Sequence, residues 1–269
     1  MKLAGVIGWP IAHSLSPKLH GYWLRELGID GAYVPLAVQQ EDFGRAIDTL
    51  PRMGFTGVSV TLPHKEAAFA LARSLDASAR QAGAVNQLIF QNSGIHGFNS
   101  DVAGFIGSLH DAGITVSKKA VVVVGSGGGA RAIVAALRQM GAGEIRVLNR
   151  TPARAGALGA DLNGGLGDWK RSAMDASLLV NATPAGMKNQ PPLSLDLDAL
   201  QDCAVVCDIV YNPIVTPLLR AARKRGLRTI DGLGMLLHQA VPAFEAFFGA
   251  RPKVTPAVRK VLEDALGYV

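Results

Sequence analysis

Residues Val121–Ile133, VVVVGSGGGARAI, decide how the rest of the chain is read. Four consecutive valines predict a strand buried on both faces, as at the centre of a parallel sheet. They lead into Gly125-Ser126-Gly127-Gly128-Gly129 and then into Ala130–Met140, a segment of good helix formers. Between a strand and a helix, a glycine-rich turn has a mechanical meaning. Gly125 permits the tight turn, and Gly127 lets backbone N–H groups approach a pyrophosphate. Gly128, Gly129 and Ala130 let the helix pack closely and aim its positive N-terminus at the phosphates. The spacing Gly-x-Gly-Gly-Gly-Ala departs from a strict G-x-G-x-x-G, so the flanking strand and helix carry the reading.

The chain has 269 residues, 49% apolar and 18% charged, which suits one large or two modest domains. Its 31 glycines fit a fold with many strand-to-helix turns. No apolar run reaches the roughly 18 residues that span a bilayer. Met1-Lys2 passes directly into a predicted strand, Leu3–Ile7, without a signal-peptide apolar region. A cytoplasmic location and no membrane partner are expected. Cys203 and Cys207 flank a short apolar run and match no zinc spacing, so buried reduced thiols and no metal are expected. The net charge of +6 comes from scattered Lys and Arg, the longest clusters being Lys118-Lys119 and Arg223-Lys224-Arg225. That pattern fits a solvated surface attracting small anionic ligands, and a nucleic-acid partner is not expected.

The strand Leu3–Ile7 ends in GWPIAHSLSPKLH, Gly8 to His20. Ser16-Pro17 predicts a helix start with serine at the N-cap, and Leu19, Trp23, Leu24 and Leu27 supply an apolar stripe before Gly28 ends it. Ser16 reads as a cap; with Ser14 it would also make a neutral clamp for a carboxylate beside a helix N-terminus. Nothing local gives His13 or His20 a catalytic role. Glu41–Leu50 predicts a helix and Gly57–Thr61 a strand that Pro63 stops, which puts Lys65 at a strand-to-helix corner. Such corners are where α/β proteins place ligands. Lys65 is either a solvated helix-start residue or, in a cleft, a proton donor and acceptor. Gly83-Ala84-Val85-Asn86 then leads into a strand, Leu88–Phe90, and Gly97-Phe98-Asn99-Ser100-Asp101 precedes a helix, Val102–Leu109, that Asp101 would cap. Three times a strand ends in polar residues before a helix begins, as in an open α/β substrate site.

Beyond the glycine turn, Glu144–Leu148 predicts the next strand, ending in Asn149-Arg150-Thr151. An NAD-binding unit would place an acidic residue near this corner for the ribose 2′-OH. Here Arg150, Thr151 and Arg154 offer two cations and a hydroxyl, suited to a 2′-phosphate, so NADP is expected rather than NAD. Leu178–Val180 and Ala204–Val210 predict further buried strands, the first followed by a turn that puts Thr183 beside the cofactor. Leu218–Lys224 predicts a helix and Arg228–Ile230 the last strand. The chain then returns through Asp231-Gly232-Leu233-Gly234 to a helix whose Met235, Leu236, Val241, Phe244 and Phe248 read as core. Gln239, polar among apolar neighbours, reads as a buried hydrogen-bonding residue. Pro256–Leu266 predicts a closing helix.

With these stretches side by side, the chain resembles the shikimate dehydrogenase family. The match is carried by Gly8–His20, Val60–Lys65 (VTLPHK), Gly83–Asn86 (GAVN), and Asn99 with Asp101. It continues through Gly125–Ala132 (GSGGGARA), Asn149–Thr151, Asn181–Met187 (NATPAGM), Asp208–Pro217 and Gly232–Gln239. The resemblance implies two α/β domains with a cleft between them. Residues 1–101 and 232–269 would form an open α/β substrate domain, and 102–231 a Rossmann-type NADP domain with a parallel sheet. It implies NADP-dependent interconversion of 3-dehydroshikimate and shikimate in aromatic amino-acid biosynthesis, by a monomer or homodimer.

By the same resemblance Ser14 and Ser16 would bind the substrate carboxylate, and Thr61, Asn86 and Gln239 the ring hydroxyls. Tyr211 would line the substrate–cofactor junction, or else be an ordinary half-buried aromatic. Lys65 and Asp101 would form the catalytic pair, Lys65 handling the proton of the hydroxyl being oxidised and Asp101 holding Lys65. One base near that oxygen suffices for hydride transfer to a nicotinamide, and no metal is required. Expected cofactor contacts are Gly125, Ser126, Gly127, Gly128, Gly129, Ala130, Asn149, Arg150, Thr151, Arg154, Thr183, Gly234 and Met235. The chain departs from the family's usual residues at Ser59 (usually Asn), Gln87 (usually Thr), Ser100 (usually Thr) and Gly21 (commonly Asn). Those departures admit a relative preferring quinate or another cyclic hydroxy acid. The intact Lys65–Asp101 pair argues against a non-catalytic metabolite sensor.

Overall fold

A computed structural model describes residues 1–268. In chain order the elements are β1 (Lys2–Gly8), α1 (Ser16–Glu26), β2 (Gly31–Ala37), α2 (Phe43–Thr49), β3 (Phe55–Val60), α3 (Lys65–Leu71), β4 (Ser74–Leu75), α4 (Ala77–Ala82), β5 (Gln87–Gln91), β6 (Gly94–Phe98) and α5 (Ser100–Asp111). Then follow β7 (Ala120–Val124), α6 (Gly128–Gln139), β8 (Glu144–Leu148), α7 (Pro152–Ala155), β9 (Leu162–Gly164), α8 (Trp169–Ala173), β10 (Leu178–Asn181), β11 (Val205–Asp208), α9 (Pro217–Lys224), β12 (Arg228–Ile230), α10 (Gly232–Phe248) and α11 (Pro256–Ala265). The chain divides into two compact units, Met1–Gly104 with Leu236–Gly267, and Phe105–Met235 with Tyr268. No helix among the described residues is long and apolar enough to cross a membrane.

The second unit is built on the valine run. Val121, Val122 and Val123 are fully buried in β7, which pairs in parallel with β8 on one side and β10 on the other. The sheet is six-stranded and wholly parallel, in the order β12-β11-β10-β7-β8-β9. Strand order reverses between β7 and β10, so their carboxyl ends frame the crevice where such sheets hold ligands. Beneath lies a core that includes Val122, Trp169, Leu179, Val206 and Leu219.

The first unit carries a mixed sheet in the order β2-β1-β3-β5-β6-β4. β1 runs parallel to β2 and β3, whereas β5 is antiparallel to β3 and β6. Ile7, Phe43, Ile47, Val58, Val60 and Leu88 make one core cluster. Trp23, Phe244, Phe247 and Phe248 surround His20, whose ring stacks on Tyr33 with centroids 3.9 Å apart and planes 7° from parallel.

The structure redraws several expectations. The helix expected over Glu41–Leu50 is α2 alone, framed by 3₁₀ turns Gln40–Asp42 and Leu50–Met53, because Pro51 has no amide to extend the ladder. β2 escaped the sequence reading since Pro35 weakens its pattern; it lies at the sheet edge, where proline is tolerated. Cys207 is buried in β11, but Cys203 is exposed, since the strand begins only at Val205. The two-buried-thiol expectation therefore holds for Cys207 alone.

His20 is fully enclosed and neither ring nitrogen meets a protein hydrogen-bond partner. Burial holds its pKa down at about 3, against 6.5 for the free side chain. Below 6.5 the unfolded chain binds a proton that the native state refuses, so native stability falls as pH drops from 6.5 toward 3. His20→Leu removes that drain. In urea unfolding series from pH 8 to pH 4, the variant should gain on the parent below pH 6.5, by up to about 1.4 kcal/mol per pH unit.

Candidate active site

In the first unit, the turns at the carboxyl ends of parallel strands carry the polar residues. Trp9 N donates to Leu62 O at 3.0 Å and Thr61 N to Ile7 O at 3.0 Å, so the loop after β1 runs beside the turn after β3. A Cβ on Gly8 would lie 2.5 Å from Thr61 Cγ2, which shows how closely the two loops approach. Ser14 and Ser16 meet in the first of these loops, where Ser16 N donates to Ser14 Oγ at 3.3 Å. Ser16 is not the N-cap it was expected to be. Leu15 takes that position without a side-chain bond, because α1 starts one residue earlier and Ser14 receives the amide of Ser16.

Lys65 opens α3, and its carbonyl accepts from Val85 N at 3.1 Å, which ties the corner to the approach to β5. Its ammonium donates to Asp101 Oδ2; the two side chains are only 14% and 9% exposed. Asp101 Oδ1 accepts from Asn86 Nδ2 at 2.8 Å, so both carboxylate oxygens are engaged. Asn86 is oriented in turn by Ser100 N, which donates to its Oδ1 at 2.7 Å. Asp101 does not cap α5: Asn99 Oδ1 receives the Asp101 amide at 3.0 Å and leaves the carboxylate for Lys65. An ammonium has three protons and one acceptor accounts for one of them, so Lys65 retains donors for a ligand. Gln239, half-buried on α10, joins the set through Ser100 Oγ at 3.3 Å and Gln87 Nε2 at 3.4 Å.

In the second unit, Gly125 has φ +120°, and a Cβ there would sit 3.0 Å from both Ala182 O and Thr183 Cγ2. Only glycine fits between the turn after β7 and the turn after β10. Gly127 is the N-cap of α6 and bonds no side chain, and a Cβ on it would meet nothing within 4 Å. The backbone at the start of the helix can thus be approached closely, as a pyrophosphate held by the first N–H groups requires. Arg150, Thr151 and Arg154 are exposed at the end of β8, and Asn149 Nδ2 donates to Thr151 O at 3.0 Å. These groups fit a dinucleotide carrying a 2′-phosphate. Tyr211 is half-buried after β11, and Gly234 and Met235 lie in the first turn of α10.

Sequence reasoning missed the support beneath Thr183. Asp208, fully buried, accepts from Asn181 Nδ2 at 3.0 Å, Val210 N at 3.0 Å and Thr216 Oγ1 at 2.7 Å. Asn181 Oδ1 then accepts from Thr183 Oγ1 at 2.7 Å and Thr183 N at 3.1 Å, which sets the turn after β10. Burial pushes the Asp208 carboxyl pKa up, while its three donors pull the other way. The available signal was a carboxylate inside an apolar strand, Val205-Val206-Cys207-Asp208. Thr216 also caps α9 through Leu219 N at 3.3 Å. Thr216→Val keeps the volume and removes both bonds, so urea unfolding should show a loss of about 2–4 kcal/mol.

A parallel sheet of this order with a glycine turn at its reversal, in one chain with a second α/β unit holding a lysine–carboxylate pair, is the architecture of two-domain dinucleotide-dependent dehydrogenases. Comparison with known proteins sharpens the class. Residues 6–88 match the shikimate dehydrogenase substrate binding domain, residues 109–188 the shikimate / quinate 5-dehydrogenase family, and residues 232–263 the shikimate 5′-dehydrogenase C-terminal domain. The shikimate dehydrogenase (NADP(+)) of Acidiphilium cryptum is 50% identical over 99% of this chain and 98% of its own. The shikimate 5-dehydrogenase of Thermus thermophilus, solved in complex with NADP(H) and shikimate, is 36% identical with a TM-score of 0.87, covering 99% of this chain and 100% of that one. A quinate dehydrogenase of Corynebacterium glutamicum, solved with NAD, is 32% identical with a TM-score of 0.88 over 98% and 99% of the two chains. The chain belongs to the shikimate dehydrogenase family.

Proposed function

We infer that the protein is an NADP-dependent shikimate dehydrogenase, reversibly reducing 3-dehydroshikimate to shikimate. The observation that carries this reading is the Lys65–Asp101 pair, braced by Asn86, in a chain half identical to an NADP-dependent shikimate dehydrogenase over nearly its whole length. The unit of Met1–Gly104 with Leu236–Gly267 is the substrate domain, and Phe105–Met235 the NADP domain. Ser14 and Ser16 hold the substrate carboxylate, while Thr61, Asn86 and Gln239 hold the ring hydroxyls.

Oxidation of a secondary alcohol removes a hydride from carbon and a proton from oxygen. Bound NADP⁺ supplies the hydride acceptor. In reduction the Lys65 ammonium gives its proton to the carbonyl oxygen; in oxidation the neutral amine, having first released a proton to solvent, takes the proton of the hydroxyl. Asp101 fixes the lysine and contacts the same hydroxyl; its second oxygen is turned to Asn86 and cannot drift. The backbone N–H groups from Ser126 to Ala130 and the turn at Thr183 cradle the dinucleotide, and Arg150 and Arg154 take the 2′-phosphate. Tyr211, Gly234 and Met235 complete the nicotinamide side. A second reading, quinate as the preferred substrate, draws on Ser59, Gln87 and Ser100, which replace the family's usual residues beside these contacts.

Nicotinamide absorbance, with shikimate or quinate paired with NADP⁺ or NAD⁺, tests both readings. Rapid turnover of shikimate with NADP⁺ is expected; a preference for quinate would favour the second reading, and no turnover with either acid would overturn both. Lys65→Ala should lower kcat by about 10²–10⁴-fold while NADP binding, followed calorimetrically, is unchanged. Arg150→Ala should raise the KM for NADP⁺ by about 10–100-fold and leave that for NAD⁺ nearly constant, as loss of a charge-assisted pair with the 2′-phosphate requires.

A further inference from the structure

Ser59, Gln87 and Ser100, where the chain departs from its family, occupy one hydrogen-bonded string whose direction can be deduced. Gln239 Nε2 donates to Leu236 O at 3.1 Å. A carbonyl only accepts, so the Gln239 amide nitrogen is committed to that end and Oε1 must face Gln87 and Ser100. That oxygen needs a donor, and Gln87 Nε2 stands 3.4 Å away. The same Nε2 donates to Ser100 Oγ at 2.9 Å. With its nitrogen so directed, Gln87 turns Oε1 to Ser59 Oγ at 2.8 Å, and Ser59 has to donate. Having committed its proton, Ser59 accepts from Tyr33 OH at 2.7 Å. Tyr33 is buried, stacked on His20, and burial pushes its phenol pKa up, which keeps it a donor. Each link has one sense, and such a chain reinforces its members.

The string also reaches Asn86. Ser100 Oγ receives from Asn86 Nδ2 at 3.1 Å and from Gln87, and its own proton faces two acceptors at 3.3 Å, Gln239 Oε1 and Asn86 Oδ1. Gln87 is fully buried at the junction and touches both the Tyr33–Ser59 arm and the Ser100–Gln239 arm. A side chain the length of threonine is two bonds too short to reach both.

We propose that Gln87 is a positioning residue: Leu236 O and Ser100 N decide which way the carboxamides of Gln239 and Asn86 face, and Gln87, directly and through Ser100, holds them in place and so sets which ring-hydroxyl pattern the enzyme accepts, with Tyr33 and Ser59 bracing Gln87 from behind. This rests on the assignment of Asn86 and Gln239 as substrate contacts. The test is a double-mutant cycle of Tyr33→Phe and Gln87→Met, read as KM for shikimate and KM for NADP⁺. Gln87→Met should raise the shikimate KM about tenfold and Tyr33→Phe about threefold, the pair together no more than Gln87→Met alone, all with NADP⁺ KM constant. Multiplying effects, a parallel rise in both KM values, or no change would overturn the string. Should Gln87→Met fail to fold, Tyr33→Phe, an isosteric change remote from the lysine, decides by the same split. A parent enzyme that turns over no shikimate would overturn the assignment of function instead, an outcome separate from a failed cycle on an active parent.

Discussion

The substrate unit hangs on the bond from Ser100 N to Asn86 Oδ1 at 2.7 Å. A backbone N–H can only donate, so this one contact decides which end of the Asn86 amide faces α5. The amide nitrogen is thereby aimed at Asp101, and one carboxylate oxygen is committed to it. What remains of Asp101 is directed at Lys65. Inverting Asn86 would oppose two oxygens, so a pair with little solvent access is kept in register by an amide with only one acceptable orientation.

The other unit uses a different acid for a comparable purpose. Asp208 joins the ends of β10 and β11 and the cap of α9, and it sets the turn after β10 through Asn181 and Thr183. In both units a carboxylate at the carboxyl edge of a sheet gathers several donors. Asp101 does so with its side chain 9% exposed, Asp208 with no exposure at all. The difference is burial: one retains a mobile cation as partner, the other only hydroxyl, amide and backbone donors.

The apolar strands β1, β3, β5, β7, β8, β10, β11 and β12, the glycine turn and the lysine corner were legible because each is written in a short run; β2, β4, β6 and β9 were not. Val121–Val124 announce a doubly covered strand, and Pro63 stops β3 before Lys65. The string through Gln87 was not legible, since its members lie on five separate stretches and Gln87 and Gln239 are 152 residues apart. Ser16 illustrates a subtler loss. A serine before proline suits an N-cap, but local preference is worth only about 1 kcal/mol, and the loop that brings Ser14 to its amide outweighs it. Asp208 fell inside the predicted strand Ala204–Val210, and its partner Thr216, eight residues later, is brought to it only by the fold.

The unequal surroundings of the two cysteines make the chain singly addressable by thiol chemistry. Cys207 is sealed in β11, where burial and the charges of Asp208 and Asp231 push its thiol pKa up and leave little thiolate to react. Cys203 stands outside in the preceding turn. A maleimide dye would therefore attach at one point on the nucleotide-binding unit, outside its packed interior. The same exposure makes Cys203 the place where two chains in an oxidising buffer would join.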